Sequence, residues 1–159
     1  MSQPGEIDGL PFARSGLELA GTLSPAHLSR LAETVAGVGP VAYEVHGGFS
    51  ERGKPCLRIR ASAELELTCQ RCLESLPYPV QVDSELELSE SEQEMALAED
   101  DIDRVLATQT MDVAHLVEDE ILLALPDAPR HADCAPPAGG EGVKQASPFD
   151  VLANLKRKQ

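Results

Sequence analysis

Four side chains with metal-binding atoms fall into two close pairs in this sequence. Cys69 and Cys72 form a C-x2-C pair, and His131 and Cys134 form an H-x2-C pair. Zinc prefers four thiolate and imidazole ligands in a tetrahedron, and such spacings are typical of structural sites. The four residues are therefore the candidate ligands of one structural zinc. The alternative is two thiols that close a hairpin and a separate histidine in a loop, since the first pair lacks the glycine that often tightens a zinc knuckle.

Catalytic chemistry has less support in the sequence. Reactive C-x2-C thiols gain from a helix N-terminus that lowers the thiol pKa, whereas this pair lies between two segments that alternate like strands. None of the four histidines follows or precedes a plausible nucleophile, and no glycine-rich loop suits a phosphate. We therefore expect no enzyme and no catalytic residues. A zinc- or thiol-dependent enzyme and a general protein-interaction adaptor are the alternatives.

Several basic residues lie in the same region as the first cysteine pair. Arg58 and Arg60 share one face of a predicted strand, and Arg71 lies between the two cysteines. Clustered cations are typical of surfaces that contact RNA phosphates or an acidic partner. The alternative is an ordinary solvated face on which Glu64 and Glu66 balance the positive charge.

The segments on either side of the C-x2-C pair predict strands. Apolar residues occupy every second position from Leu57 to Leu67 and recur in the same way from Leu76 to Leu88. Successive side chains of a strand point to opposite faces, so each segment has one apolar and one polar face. The pattern predicts a long antiparallel pair of strands with the cysteines at its closed end.

Two further segments predict helices. Ser24 followed by Pro25 is typical of a helix start, and Asp112 or Thr110 can cap a second helix that ends at Pro126. Together with the strands, these elements predict a single α+β domain over residues 1–159, with an antiparallel sheet, two main helices and a short docked C-terminal helix.

The remaining segments have the composition of connections. Residues 1–16 predict an irregular arm, residues 89–103 an acidic loop, and residues 127–147 a Pro/Gly-rich connection. Residues 148–158 predict the C-terminal helix, because Ser147 can cap it and Pro148 can begin it. Its apolar face is a candidate partner contact and consists of Phe149, Leu152 and Leu155.

The chain is strongly acidic, with a formal net charge of −14. Such a charge repels nucleic acid in bulk, although a local basic patch can still bind it. The N-terminal residues lack the basic start and apolar run of a signal peptide, and the longest apolar run, residues 121–125, is too short to span a bilayer. We expect a cytoplasmic protein with free thiols or a metal and without a disulfide framework.

Three motifs together resemble one family. They are residues 67–72 (LTCQRC), 117–126 (VEDEILLALP) and 147–158 (SPFDVLANLKRK). In this order and spacing they closely resemble the YceD proteins, the large ribosomal RNA subunit accumulation family of bacteria and plastids. The combination is far more specific than any one of the motifs.

The resemblance implies a non-enzymatic factor in large ribosomal subunit biogenesis that is needed for 23S ribosomal RNA synthesis, processing or accumulation. The implied partner is the large-subunit precursor, through its 23S ribosomal RNA, its basic ribosomal proteins or both. No membrane and no small-molecule substrate are expected. Arg58, Arg60 and Arg71 are then the candidate contacts for RNA or another partner.

Overall fold

The computed structural model describes residues 5–96 and 101–137. Its longest elements are β5 (Pro55–Thr68) and β6 (Ser75–Ser89), which pair antiparallel with Cys56 opposite Glu87 and Thr68 opposite Ser75. This register places the apolar residues of both strands on one face, as in the pair Leu57 and Leu86. The predicted long hairpin closed by the cysteine loop is confirmed.

The hairpin is the centre of a six-stranded sheet. Five of its strands have the order β2-β4-β5-β6-β7, and the sixth, β3, pairs with β5. Here β2 is Glu18–Leu23, β4 is Val41–Phe49 and β7 is Arg104–Leu106, while β3 (Gly37–Val38) pairs with β5 beyond β4. All these pairings are antiparallel except that of β6 with β7, which is parallel. A separate two-stranded ribbon joins β1 (Glu6–Ile7) to β8 (Met111–Asp112).

The helices are α1 (Gly9–Arg14), α2 (Ser29–Thr34), α3 (Glu92–Ala96) and α4 (Val113–Leu123). The described residues therefore form an α+β fold, as predicted. The longest helix, α4, begins as expected, because the Asp112 carboxylate accepts the backbone N–H of Ala114 at 2.8 Å. None of these helices is long and apolar enough to cross a membrane.

One face of the sheet carries the core. Along β5, buried residues alternate with exposed ones, and α4 packs against both β5 and β6. The α4 residues Val113, Val117 and Ile121 are completely buried. The helix α1 packs against β4 so closely that a Cβ at Gly47 would collide with backbone atoms of α1.

A buried carboxylate joins α2 to α4. Glu118, on α4, is 1% exposed and accepts the backbone N–H of Leu31 at 2.9 Å. Its second oxygen accepts from Arg30 Nε at 2.9 Å, while Asp119 accepts from the same guanidinium at the surface. The acidic part of the motif at residues 117–126 thus has a structural role in the core.

The N-terminal predictions need correction. Residues 1–16 were expected to be irregular, but the described part of this segment contains β1 and α1, with Phe12 buried. The helix expected from Ser24 begins only at Ser29, because residues Pro25–His27 form a separate 3-10 turn. Ser24 does not cap that turn, and its hydroxyl contacts His27 Nδ1 at 3.1 Å instead.

The predicted connections at residues 89–103 and 127–147 agree better with the structure where it describes them. The acidic segment 89–103 contains the single-turn helix α3, and its residues 97–100 lie outside the described part. Residues 127–137 contain no helix or strand, whereas the rest of the predicted Pro/Gly-rich connection is not described. The predicted C-terminal helix, with Phe149, Leu152 and Leu155, also lies outside the described residues.

Candidate metal centre

The first cysteine pair lies in the loop between β5 and β6. The Cys69 N–H donates to the Glu74 carbonyl at 2.9 Å, and the Leu73 N–H donates to the Cys69 carbonyl at 2.9 Å. These two bonds make residues 69–74 a tight turn. Leu73 completes it with a φ of 65°, in the left-handed region.

The segment after α4 returns to this loop. The Gln70 N–H donates to the Pro129 carbonyl at 2.8 Å, and Arg71 Nη1 donates to the Cys134 carbonyl at 3.2 Å. These bonds hold residues 129–134 against the loop. As a result, the second pair, His131 and Cys134, meets the first pair although about 60 residues separate them in sequence.

The four predicted ligand side chains form one cluster. One ligand atom from each of Cys69, Cys72, His131 and Cys134 lies within 4.8 Å of the others. The Sγ atoms of Cys69 and Cys134 are 3.8 Å apart, and Cys72 Sγ is 3.3 Å from His131 Nδ1. A tetrahedron with Zn–S bonds of about 2.3 Å has sulfur–sulfur edges of about 3.8 Å. The cluster therefore has the right size for a single metal ion.

The hydrogen bonding of His131 suits a metal ligand. Its Nε2 lies 3.1 Å from the Ser75 carbonyl oxygen, which only accepts, so Nε2 carries the proton and donates. Nδ1 then has a free lone pair and points toward Cys72. A backbone carbonyl that fixes the tautomer and ring orientation in this way is a recurrent feature of histidine metal ligands.

The electrostatics of the cluster favour a thiolate. Burial by itself raises the pKa of Cys69, but backbone N–H groups of Cys72, Arg71 and His131 outweigh it and lower the pKa to about 5. The N–H groups of Arg71 and His131 lie 3.4 and 3.5 Å from Cys69 Sγ. By contrast, burial and the neighbouring thiols raise the pKa of Cys134. A bound metal would therefore coordinate a thiolate that the fold already stabilises.

The structure separates the three candidate arginines into two places. Arg58 and Arg60 lie on the exposed face of β5, where both bind Asp83 of β6 at 2.8 and 3.2 Å. The hydrogen bond from Arg58 lowers the pKa of Asp83. Arg71 lies in the cysteine loop, and the eight residue steps from Arg60 to Thr68 span roughly 26 Å of strand. The three side chains therefore do not form one continuous patch.

Two parts of the site were missed from the sequence. Ser75 acts through its backbone carbonyl, which no residue pattern reveals. Leu73 follows the second cysteine, at the position where a zinc knuckle often has glycine. The backbone there has a left-handed φ, which glycine adopts more readily than other residues, and this explains the preference for glycine. Its position was thus a usable signal.

Comparison with known proteins gives a consistent match. The family model described as "Large ribosomal RNA subunit accumulation protein YceD" matches residues 57–156, which include all four clustered ligands. A protein of Haemophilus influenzae with the same description is 30% identical over 173 aligned residues, which cover 98% of this chain and 97% of that protein. No solved protein structure matches the chain.

Proposed function

Because the chain belongs to the YceD family of large ribosomal RNA subunit accumulation proteins, we propose that it is a factor in large ribosomal subunit biogenesis. It acts by binding in the cytoplasm and is needed for the synthesis, processing or accumulation of 23S ribosomal RNA. The family membership is the main support for this proposal, since the matched region includes all but the first two residues of the central hairpin and all four clustered side chains.

The metal centre has a structural role in this proposal. Cys69, Cys72 and Cys134 supply thiolates and His131 supplies Nδ1, so protein atoms fill all four positions of a zinc tetrahedron. A bound zinc adds a cross-link between the hairpin loop and the segment after α4. Such a closed site has no position for an activated water or a substrate, in contrast to catalytic zinc sites.

The rival function, a zinc- or thiol-dependent enzyme, is less favoured by the geometry. A reactive cysteine needs both a lowered pKa and access to its substrate. Cys69 has the lowered pKa but its side chain is completely buried. The thiolate is therefore better suited to hold a metal than to attack a substrate.

The charge distribution favours a basic protein as the direct partner within the large-subunit precursor. The net charge of −14 disfavours tight binding to bare RNA, whereas it attracts a basic ribosomal protein. Residues 83–103 carry much of this negative charge. Any direct RNA contact runs through Arg58, Arg60 and Arg71, although Arg58 and Arg60 already pair with Asp83.

Deletion of the gene tests the proposal. We expect 23S ribosomal RNA to fall relative to 16S, and the large-subunit peak to shrink in a sucrose gradient. A plasmid copy of the wild-type gene should restore both. Unchanged 23S levels and an unchanged subunit profile in the deletion strain would contradict the proposed process.

A further inference from the structure

Leu73 has an unusual backbone conformation. Its φ of 65° is the only positive φ of a non-glycine residue among residues 5–96 and 101–137. In this region the Cβ crowds the neighbouring carbonyl oxygen, so glycine adopts it readily and branched or bulky residues do so only at a cost. The bond from the Leu73 N–H to the Cys69 carbonyl closes the turn and maintains the conformation.

The side chain of Leu73 gains little from the fold. It is 63% exposed, whereas Leu65 and Leu67 of the same hairpin are 3% and 5% exposed. Both its backbone conformation and its exposure would thus favour glycine or a small polar residue at this position. Residues that lower the stability of the folded protein, through backbone strain or unfavourable exposure, are concentrated at functional sites.

We propose that Leu73 is the anchor of a docking surface for a protein partner that offers an apolar socket. The surface is the tip of the loop, with Leu73 at its centre and the exposed side chains of Gln70, Arg71 and Glu74 as its rim. An apolar anchor inside a polar rim is the usual anatomy of a binding hot spot. The inference rests on the proposed function, so the partner is a protein of the large-subunit precursor.

The metal centre explains why this loop suits an anchor. Cys69 and Cys72 of this loop belong to the ligand cluster, and the hydrogen bond from the Gln70 N–H to the Pro129 carbonyl attaches the loop to the segment after α4. A loop fixed in this way presents Leu73 in one position before binding. Little conformational entropy is then lost when the partner binds.

The chemistry of the loop favours protein over RNA. Arg71 and Glu74 cancel in formal charge, and Arg71 already donates to the Cys134 carbonyl. Residues 69–74 contain no aromatic side chain. RNA binding depends on clustered cations for phosphates and on aromatic or arginine planes for bases. An aliphatic side chain with a neutral rim instead fits a protein pocket.

Two substitutions separate binding from folding. Leu73→Gly and Leu73→Asn both tolerate the left-handed conformation and both remove the apolar side chain. We expect the melting temperature to stay the same or rise by a few degrees, and the zinc content to be unchanged. Binding to large-subunit precursor particles purified from the deletion strain should weaken roughly 10- to 100-fold. Leu17→Asn, at another exposed leucine, is the matched control and should bind normally.

A photo-crosslinking residue at position 73 then identifies the partner class. Cross-links to a ribosomal protein support the proposal, whereas cross-links only to RNA overturn it. The proposal is also wrong if Leu73→Gly binds within twofold of wild type. Equally, a loss of zinc and of stability in both variants would show an internal packing role and overturn it. If wild-type protein itself fails to bind the particles, the proposed function falls, and this inference falls with it.

Discussion

Replacement of Glu118 by alanine tests the buried link between α2 and α4. Glu118 is 1% exposed, and Leu31, whose N–H it accepts at 2.9 Å, is completely buried. In the alanine variant that N–H loses its partner inside the core, where an unpaired polar group costs about 1–3 kcal/mol. The ion pair with Arg30 is lost as well. Because Arg30 is 48% exposed, solvent screening limits that contribution to at most about 1 kcal/mol.

We therefore expect Glu118→Ala to lower the free energy of unfolding by about 1–4 kcal/mol. Glu118→Gln keeps an oxygen that can accept from Leu31 and should lose about 1 kcal/mol. Urea unfolding, followed by circular dichroism, measures both values from the midpoint at constant slope. Asp119→Asn is the matched control, since its carboxylate binds the same guanidinium but is 50% exposed. A loss below about 1 kcal/mol for the alanine variant, or an equal loss for the control, would refute this account of Glu118.

Three further predictions concern the metal and the exposed sheet face. Protein purified without chelator should contain about one zinc per chain, and Cys69→Ser should release it and lower the melting temperature; elemental analysis that finds no metal in the wild type would contradict the site. The apparent zinc affinity should fall as the pH is lowered, because the metal needs thiolates and the raised pKa of Cys134 makes that thiol release a proton on binding. Competition with a chromophoric chelator measures this, and an affinity independent of pH would count against the thiolate ligands. Replacement of Arg58, Arg60 and Arg71 by serine should impair large-subunit assembly while the fold remains, because substitutions at the surface usually cost little stability. Full complementation of the deletion strain by that triple variant would show that the three arginines are not part of the binding surface.

The hairpin and α4 could be predicted because their signals are local. The alternation along β5 and β6 reports which face is buried without knowledge of any other element. Asp112 and Pro126 likewise mark the start of α4 and the point beyond which it cannot continue. In each case the residues that define the element lie within it or next to it.

The short helices could not be predicted because tertiary contacts stabilise them. Both α1 and α2 are six residues long, and helices of that length are marginal on their own. Neither has a side-chain hydrogen bond at its N-cap. Their positions depend instead on partners distant in sequence, such as Gly47 for α1 and Glu118 for α2.

The site divides in the same way. The ligand types and their pairing could be read directly, so the four clustered residues were all predicted. That the chain returns from α4 to the hairpin loop depends on backbone bonds such as that of Gln70 with Pro129. The arginines illustrate the converse case, because the strand register places Arg58 and Arg60 beside Asp83 and far from Arg71. Arginines in the same region of the sequence therefore do not lie together on the surface.

The most direct test of the central claim is the rate of 23S ribosomal RNA accumulation immediately after the protein is removed. Rapid depletion of the protein, followed by pulse labelling of RNA, separates a primary effect from slow adaptation of the deletion strain. The account predicts that newly made 23S ribosomal RNA declines within about one generation while newly made 16S ribosomal RNA does not. An equal decline of both RNAs, or no decline of either, would contradict it.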